Sequence, residues 1–362
     1  MLRRSGLCMN LEAFCCGFLS LFPKVFVLTV LLWALYGTIS ELHSHLGLSA
    51  ASLVFSGLLL SLYLLSMYSY FQVVVVGPGS PLDFPELRLT GGTSTNDHYL
   101  LPELNEQNET LLSPRRAPPM EVLVTHTIEK GEPYLRWCPK CNVWKPDRCH
   151  HCSNCKRCFL QMDHHCPWFS CCIGFRNHKF FIQFLLYVFV FCGYVLAISL
   201  YFLYDFFVKE QYAEHQYLSL TLVFLAVVSF AFFLSVGCFA GFLVYLMLRN
   251  LTTIEFQDLR WNYLGDHSAE YEYDSTGKKK SVANFYDLGL KRNWTAVMGD
   301  TWWHWLLPIS ATDEKLTGYK NGLNFEVDEE VFDKYCQNLQ LQDRLNAQLM
   351  EYRDQLRGRR NQ

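Results

Sequence analysis

Residues 138–172 read CPKCNVWKPDRCHHCSNCKRCFLQMDHHCPWFSCC, a stretch with nine cysteines and four histidines. Two pairs in it, Cys138 with Cys141 and Cys152 with Cys155, have the short spacing that places two thiolates on one tetrahedral zinc ion. Two sites of three Cys and one His would use eight of the thirteen candidates. Five candidates remain, so the arithmetic predicts zinc together with some cysteines that are not ligands.

A zinc ion with four protein ligands has no open position for substrate, so these sites are predicted to be structural. The stretch has few apolar residues of its own, and we expect it to need the metal in order to fold. Nine of the fifteen cysteines of the chain fall within it. In a reducing compartment such a cluster is typical of metal binding or catalysis rather than of disulfides.

Outward from this stretch, the chain alternates between charged blocks and long apolar runs. The composition is 51% hydrophobic and 16% aromatic, and four runs are long enough to cross a bilayer as helices: 22–40, 46–76, 180–206 and 217–248. Pro23 is expected at the start of the first helix. A cleaved signal peptide is the alternative for that segment, but its apolar region is too long and no small-residue cleavage site follows.

Basic residues predict the orientation of these four spans. The N-terminal tail, the loop 77–179 and the tail after 248 hold 30 of the 31 Lys and Arg residues, and the two short loops hold only Lys209. Four crossings then place both termini and the long loop on the cytosolic side. The net charge of −3 points to no particular partner, and nothing in the composition suggests nucleic acid.

Five segments follow from this pattern, and no internal repeat is apparent. A surface helix is expected over 328–357, within the last segment. The fold class predicted is an all-α integral membrane protein with four transmembrane helices and a small cytosolic zinc-binding domain between helices 2 and 3. The segments are the N-terminal tail with helices 1 and 2 (1–76), a cytosolic linker (77–133), the cysteine-rich zinc domain (134–179), helices 3 and 4 (180–248) and a cytosolic C-terminal region (249–362).

The cysteine-rich segment resembles that of DHHC protein S-acyltransferases. The matching residues are Cys138-x2-Cys141, Lys145-Pro146, Arg148, His151-Cys152, Cys155, Cys158, Asp163-His164-His165-Cys166-Pro167-Trp168 and Cys172-Ile173-Gly174.

The resemblance extends beyond this segment. Thr252-Thr253-Ile254-Glu255 is similar to the TTxE motif of the family, and Asn293-Trp294 to Gly299 is similar to its C-terminal conserved segment. Finer matches from Gly77 to Pro85 and from Phe180 to Phe184 are similar to the fungal vacuolar palmitoyltransferase branch. Two residues depart from the family, because Gly77 stands where Asp is usual and Cys171 stands where Asn is usual.

The resemblance implies a pairing of zinc ligands that spacing alone leaves open. The two implied sets are Cys138, Cys141, His151 and Cys158 for one ion, and Cys152, Cys155, His165 and Cys172 for the other. It also implies that Cys166 is the nucleophile that takes an acyl group from palmitoyl-CoA and passes it to a substrate cysteine. His164 is then the base and Asp163 the group that orients it. We expect Thr252 and Thr253 either to hydrogen-bond Asp163 or to order the fourth helix.

Two further sets of residues are candidates for binding acyl-CoA. Lys145, Arg148 and His150 could meet the phosphates of coenzyme A, with a solvated basic face as the alternative. Phe181, Phe184, Val188 and Phe191 follow helical spacing on the third span and could line an acyl cavity. The alternative for that set is packing against other helices or lipid.

Partners and location come from the same resemblance. Palmitoyl-CoA is the expected donor, and the expected acceptors are cytosolic-face proteins at the bilayer, among them an armadillo-repeat vacuolar protein, with the enzyme in the vacuolar membrane. Two other functions fit a cytosolic Cys/His cluster beside membrane helices, namely a zinc-finger ubiquitin ligase and a zinc-binding scaffold. Neither needs an unligated Cys beside a His.

Overall fold

A computed structural model describes residues 6–88, 118–129, 132–208, 217–261, 271–273, 279–281, 284–309 and 321–360. The helices are α1 (Gly6–Leu46), α2 (Ala50–Val76), α3 (His178–Val208), α4 (Leu220–Leu248), α5 (Thr253–Trp261), α6 (Leu290–Met298), α7 (Trp302–Leu306) and α8 (Glu329–Arg360). The strands are β1 (Ile128–Glu129), β2 (Glu132–Pro133), β3 (Arg136–Cys138), β4 (Val143–Lys145), β5 (His150–Cys152), β6 (Arg157–Phe159), β7 (His164–Cys166), β8 (Cys171–Ile173), β9 (Tyr271–Tyr273) and β10 (Lys279–Ser281).

The chain divides into two compact units, and each is discontinuous in sequence. The first is built from Met1–Pro78, His164–Tyr245 and Thr295–Ala311. The second is built from Gly79–Asp163, Leu246–Trp294 and Thr312–Gln362. The five segments predicted from the sequence remain a prediction.

Four helices of the described chain are long and apolar enough to span a membrane, which confirms the predicted fold class. Large apolar side chains on them are exposed, as on Leu53 and Val75, and lipid would cover such surfaces. The expectation that Pro23 starts the first helix is wrong, because Pro23 lies inside α1. A break in backbone hydrogen bonding is costly within lipid, so an apolar segment stays helical on both sides of a proline.

The ends of α2 and α3 are held together by one buried amide. Asn177, just before α3, is fully buried, and its Oδ1 accepts from the Gly174 N–H over 2.9 Å. Its Nδ2 donates over 3.0 Å to the carbonyl oxygens of Val73 in α2 and of Cys172 in β8. The amide thus fixes strand β8 against the end of α2. Gly77, one of the two departures from the family pattern, ends α2 with a φ of 65°, a conformation that glycine adopts without strain.

A second buried amide connects α3 with the C-terminal part of the first unit. Nε2 of Gln183 lies 3.0 Å from the carbonyl oxygens of His304 and Leu307 and 3.1 Å from that of Trp305. One helical turn earlier, Lys179 donates to the carbonyl oxygen of Ile309 over 2.6 Å. These bonds satisfy carbonyls in the short helix α7 and in the residues that follow it.

Three β-hairpins with the same register make up the cysteine-rich segment. In β3/β4, Cys138 pairs with Val143, in β5/β6 Cys152 pairs with Arg157, and in β7/β8 Cys166 pairs with Cys171. Each turn ends in a residue with positive φ, namely Asn142, Lys156 and Ser170. Equivalent residues are therefore 14 positions apart, so the sequence does contain a repeat, which the sequence analysis missed. The first two hairpins belong to the second unit and the third belongs to the first unit.

Candidate active site and metal centres

Two groups of Cys and His side chains in this segment could each hold a metal ion. In the first group, Nδ1 of His151 lies 3.2 Å from Sγ of Cys141, 3.6 Å from Sγ of Cys138 and 3.7 Å from Sγ of Cys158. All four ligand atoms are within 4.8 Å of one another. Three thiolates and one imidazole are a donor set that suits tetrahedral zinc. Cys149 is buried and contacts Cys158 of this group, but it is not among the group's members.

The remaining predicted ligands form two close pairs, one in each unit. In the second unit, the N–H of Cys155 donates to Sγ of Cys152 over 3.4 Å, the local geometry of a Cys-x2-Cys turn. In the first unit, Nδ1 of His165 lies 3.6 Å from Sγ of Cys172, its cross-strand partner. Both pairs consist of residue types that bind zinc, two cysteines in one and a histidine with a cysteine in the other.

The hairpin repeat gives a physical reason why Cys166 is not a metal ligand. Cys166 is equivalent to Cys138 and Cys152, but the second cysteine of the Cys-x2-Cys pair is replaced by Phe169. The Phe169 side chain is buried, and its ring stacks on Tyr70 at 4.7 Å. Tyr70 donates its hydroxyl to the carbonyl oxygen of Trp168 over 3.0 Å. Phe169, which packs against α2, therefore occupies the position where a metal site would need its second thiolate.

His164 and Cys166 lie on the same face of β7, because alternate residues of a strand point to the same side. His165, between them, points to the other face with Cys172. The His164 ring meets the ring of Phe181 edge to face, with centroids 5.3 Å apart. The hairpin therefore divides its three consecutive side chains between a candidate metal site and a candidate catalytic site.

An apolar cavity of about 250 Å³ in the first unit reaches Cys166. From Phe181 to Val195, the α3 residues that line it cover about 21 Å of helix. The predicted cavity residues Phe181, Phe184, Val188 and Phe191 all lie in its wall, and α1 and α4 supply the opposite sides. Such a space suits a long hydrocarbon chain far better than a polar ligand.

Asp163, the residue before β7, is buried and held by the start of α5. Its Oδ1 accepts from the backbone N–H of Thr253 over 2.7 Å, and its carbonyl oxygen accepts from the Thr253 hydroxyl. The structure therefore favours a direct hydrogen bond between the threonine motif and Asp163, one of the two expected roles.

Arg148 occupies a buried ion pair rather than an exposed phosphate site. Its guanidinium makes four hydrogen bonds, two to the Glu255 carboxylate at 2.7 and 2.8 Å and two to Asn250 at 2.8 and 3.1 Å. The rings of Tyr286 and Phe325 cover it at 4.7 and 5.3 Å. Burial raises the pKa of the Glu255 carboxyl, but the charge and hydrogen bonds of Arg148 outweigh this and hold the pKa below its ordinary value.

The expectation that Arg148 meets coenzyme A is therefore corrected, because a phosphate would have to displace Glu255. His150 is also a poor cation, since burial and, next, the charge of Arg136 lower its pKa to about 4. Among the described residues, no carboxylate pairs with the ammonium of Lys145. Lys145 is therefore the remaining candidate of the three predicted phosphate contacts.

Sequence reasoning missed several residues that position the site. Tyr70 and Asn177 fix the third hairpin against α2, and neither belongs to a recognisable local motif. Glu255 was found as part of a motif, but its partner Arg148 lies 107 residues away. The only sequence signal for this pair is that Arg148 is a charged residue within a cysteine-rich segment, where a buried charge needs a partner.

Residues 132–260 match a family model described as DHHC palmitoyltransferase. Palmitoyltransferase PFA3 of Debaryomyces hansenii is 45% identical over 99% of this chain and 95% of its own length. The chain belongs to the DHHC palmitoyltransferase family. Palmitoyltransferase PFA3 of Candida albicans is 44% identical, over 97% of the chain and 95% of the relative. Palmitoyltransferase ZDHHC15 of Rattus norvegicus is 31% identical, over 82% and 81%.

These matches confirm the predicted family and its fungal PFA3 branch. The DHHC protein described here is a protein S-palmitoyltransferase that uses an acyl-CoA donor and acts on membrane-associated proteins. The prediction of two zinc-holding groups within the cysteine-rich segment is also confirmed. A ubiquitin ligase or a zinc-binding scaffold is not favoured.

Proposed function

We propose that this palmitoyltransferase carries the acyl group on Cys166 as a thioester intermediate. The observation that carries the proposal is that the third hairpin places Cys166 in the wall of the apolar cavity, on the same strand face as His164. A thioester carbonyl next to Cys166 would have its hydrocarbon chain inside the cavity. A cavity that holds the acyl chain beside the Cys166 sulfur reduces the entropy cost of bringing the thioester and the thiol together.

The proposed reaction has two thiol–thioester exchanges. His164 takes the proton of Cys166, and the Cys166 sulfur attacks the acyl carbonyl carbon of palmitoyl-CoA. The bond to the coenzyme A sulfur breaks, and that thiolate takes up the proton. A substrate cysteine then attacks the acyl-enzyme in the same way and regenerates Cys166. Asp163, held by Thr253, orients His164 and stabilises its charged form.

Zinc would support this site without taking part in the chemistry. The proposed ligands are Cys138, Cys141, His151 and Cys158 for one ion, and Cys152, Cys155, His165 and Cys172 for the other. A bound ion would crosslink the four residues of each set. His165 then anchors the strand on which its neighbour Cys166 lies.

The test is to incubate the purified full chain in detergent with a clickable palmitoyl-CoA and to measure hydroxylamine-sensitive label. Cys166→Ala should remove the label. Cys192→Ala is the matched control, because Cys192 also lines the cavity but lies within α3. Equal label on wild type and Cys166→Ala would reject the proposal.

A separate experiment tests whether the acyl chain lies against Phe181, Phe184 and Phe191. Phe191→Ala should change the preference between acyl-CoA chain lengths, because it enlarges the cavity. Val190→Ala is the matched control, since Val190 is the next residue on α3 but is 49% exposed and not in the wall. If Phe191→Ala leaves the chain-length profile unchanged, the acyl chain lies elsewhere.

Lys145 is the proposed phosphate contact for coenzyme A. Lys145→Glu should raise the KM for palmitoyl-CoA more than it lowers kcat. The matched control is Lys156→Glu, which changes the charge by the same amount in the turn of the next hairpin. An equal KM in Lys145→Glu and wild type would leave Lys145 as a solvated surface residue.

The proposed location is the vacuolar membrane with both termini in the cytosol, as the basic residues and the branch resemblance imply. An armadillo-repeat vacuolar protein is the proposed acceptor. Protease protection of terminal tags on isolated vacuoles tests the topology, and protection of either tag would contradict it. Loss of label on a candidate acceptor in cells that carry Cys166→Ala tests the acceptor.

A further inference from the structure

The third hairpin places a second thiol directly opposite Cys166. In the register of β7 and β8, Cys166 pairs with Cys171, and both side chains are thiols rather than a disulfide. The corresponding partners in the other two hairpins are Val143 and Arg157. Cys171 is also one of the two positions that the sequence analysis marked as departures from the family pattern.

The backbone geometry of the pair suits a disulfide. Directly opposed residues of an antiparallel ladder have Cα atoms about 4.5–5.5 Å apart, and their side chains share one face. Disulfides form when the Cα atoms are about 4.4–6.8 Å apart. Tyr70 in α2 lies within electrostatic range of both thiols, which places the two sulfurs in one neighbourhood.

The pair lies on the opposite face of the hairpin from the zinc ligands. His165 and Cys172 are the adjacent cross-strand pair, and their ligand atoms are 3.6 Å apart. Successive residues of a strand point to opposite faces. A bond between Cys166 and Cys171 would therefore not require either ligand to move away from its metal.

We propose that Cys166 and Cys171 form a reversible disulfide when a hydroperoxide oxidises one of them. The pairing follows from the hairpin alone, whereas the loss of acyl transfer rests on the proposed role of Cys166. Cys166 is buried and Cys171 is half-buried, so a small hydroperoxide is a better oxidant for the pair than a large disulfide.

The proposed oxidation of the two thiols has two steps. A thiolate sulfur attacks one peroxide oxygen, the O–O bond breaks, and a sulfenic acid forms with release of water after proton uptake. The second thiol attacks that sulfur, the S–O bond breaks, and the disulfide forms with release of another water. Two thiols thus lose two electrons to one hydrogen peroxide, and a cellular dithiol reductant returns them.

Two consequences follow for the enzyme. An acyl group on Cys166 blocks the disulfide, so oxidation and acyl loading compete for the same sulfur. The disulfide also protects Cys166, because a sulfenic acid without a neighbouring thiol is oxidised further to a sulfinic acid, which thiols and phosphines do not reduce.

The test uses the purified full chain in detergent, exposed to hydrogen peroxide and then divided. One half is digested without reduction and mapped by mass spectrometry for a link between the Cys166 and Cys171 peptides. The other half is labelled with clickable palmitoyl-CoA, one portion directly and one portion after treatment with a phosphine reductant, which spares thioesters. Zinc released during oxidation is measured in parallel.

Wild type should give the linked peptide, lose label in proportion to the linked fraction, keep its zinc and recover its label after reduction. Cys171→Ser should acquire label normally before oxidation but lose it irreversibly afterwards. Cys336→Ser, which removes a half-buried cysteine of α8, should behave as wild type.

The outcomes separate the two proposals. No linked peptide, release of zinc in step with loss of label, or equal recovery of Cys171→Ser and wild type would overturn the disulfide while leaving Cys166 as nucleophile. A linked peptide from a protein that never accepts label on Cys166 would instead reject the proposed function.

Discussion

The backbone N–H of Thr253 donates to Oδ1 of Asp163 over 2.7 Å, and the Thr253 hydroxyl donates to the carbonyl oxygen of the same residue. Ninety residues separate the two along the chain. The first residue of the Asp-His-His-Cys sequence is thus held on both its side chain and its backbone by the start of α5. The threonine motif therefore acts as a clamp for Asp163.

Removing half of this clamp should slow acyl loading without abolishing it. Thr253→Ala loses the hydroxyl bond, which is worth about 1 kcal/mol, or about a fivefold lower rate of acyl-enzyme formation. Thr253→Ser keeps a hydroxyl and should stay close to wild type. Single-turnover labelling with palmitoyl-CoA measures both, and equal rates for the alanine and serine variants would contradict the clamp.

Breaking the Arg148–Glu255 pair should destabilise the protein strongly. The Arg148 side chain is 2% exposed and that of Glu255 22%, so Arg148→Met leaves a shielded carboxylate without its partner, at a cost of about 3 kcal/mol or more. Thermal unfolding in detergent measures the loss.

Two variants make the Arg148 experiment decisive. Arg157→Met breaks a more exposed pair with Asp83, with side chains 46% and 33% exposed, and should cost less than about 1 kcal/mol. Arg148→Met combined with Glu255→Leu should recover part of the stability, because no charge is left unpaired. A double variant no more stable than the single one would mean that the charges are not the main contribution.

Metal content should distinguish ligand cysteines from their neighbours. Purified protein should contain two zinc ions per chain, and Cys158→Ala should lose one, because a zinc site with three ligands binds more weakly. Cys149→Ala is the matched control, since Cys149 is buried in the same hairpin region but lies outside both groups. Elemental analysis after gel filtration gives the count. Loss of zinc from Cys149→Ala would show that the ligand set is wrong.

Two glycines let α3 and α4 interlock, and filling either should destabilise the pair of helices. A Cβ on Gly237 would lie 2.7 Å from the Phe189 ring, and one on Gly193 would lie 2.9 Å from the Phe233 ring. The two rings stack with centroids 4.5 Å apart. Gly237→Ala should therefore cost about 1–3 kcal/mol of stability.

Gly241→Ala, one turn further along α4, is the control for Gly237→Ala, because a Cβ there meets no atom within 4 Å. Thermal unfolding in detergent should show a lower midpoint for Gly237→Ala alone. Combining Gly237→Ala with Phe189→Leu should restore part of the lost thermal stability, because leucine is smaller than the ring that the new methyl group meets. Equal midpoints for the two alanine variants would mean that the helices separate enough to accept a methyl group.

The sequence was sufficient for features that depend on local spacing. Apolar runs predicted the four helices, and the Cys-x2-Cys pairs predicted zinc. The helical spacing of Phe181, Phe184 and Phe191 predicted one lined face, and the structure places all three in a single cavity wall. These features are periodic in the chain, so they can be read without knowledge of long-range contacts.

Long-range pairing could not be predicted in this way. Arg148 was expected either to meet the phosphates of coenzyme A or to lie on a solvated basic face. Glu255, which lies 107 residues further on, supplies its charge partner instead. The hairpin repeat escaped notice because Phe169 and Trp144 stand where a strict repeat would have cysteine. Pro23 was misplaced because its helix-starting preference is weaker than the cost of an unbonded backbone in lipid.

The amide of Gln183 has consequences for how the protein is made. Its acceptors at His304, Trp305 and Leu307 follow it by 121 to 124 residues. At about 5–20 residues per second of synthesis, this amide waits roughly 6–24 s before its acceptors emerge from the ribosome. During that interval a nascent chain carries a polar group on an apolar helix with nothing to bond it. A stop codon placed before residue 304 would make the wait permanent, so truncated products should be substrates for membrane quality control rather than shorter working enzymes.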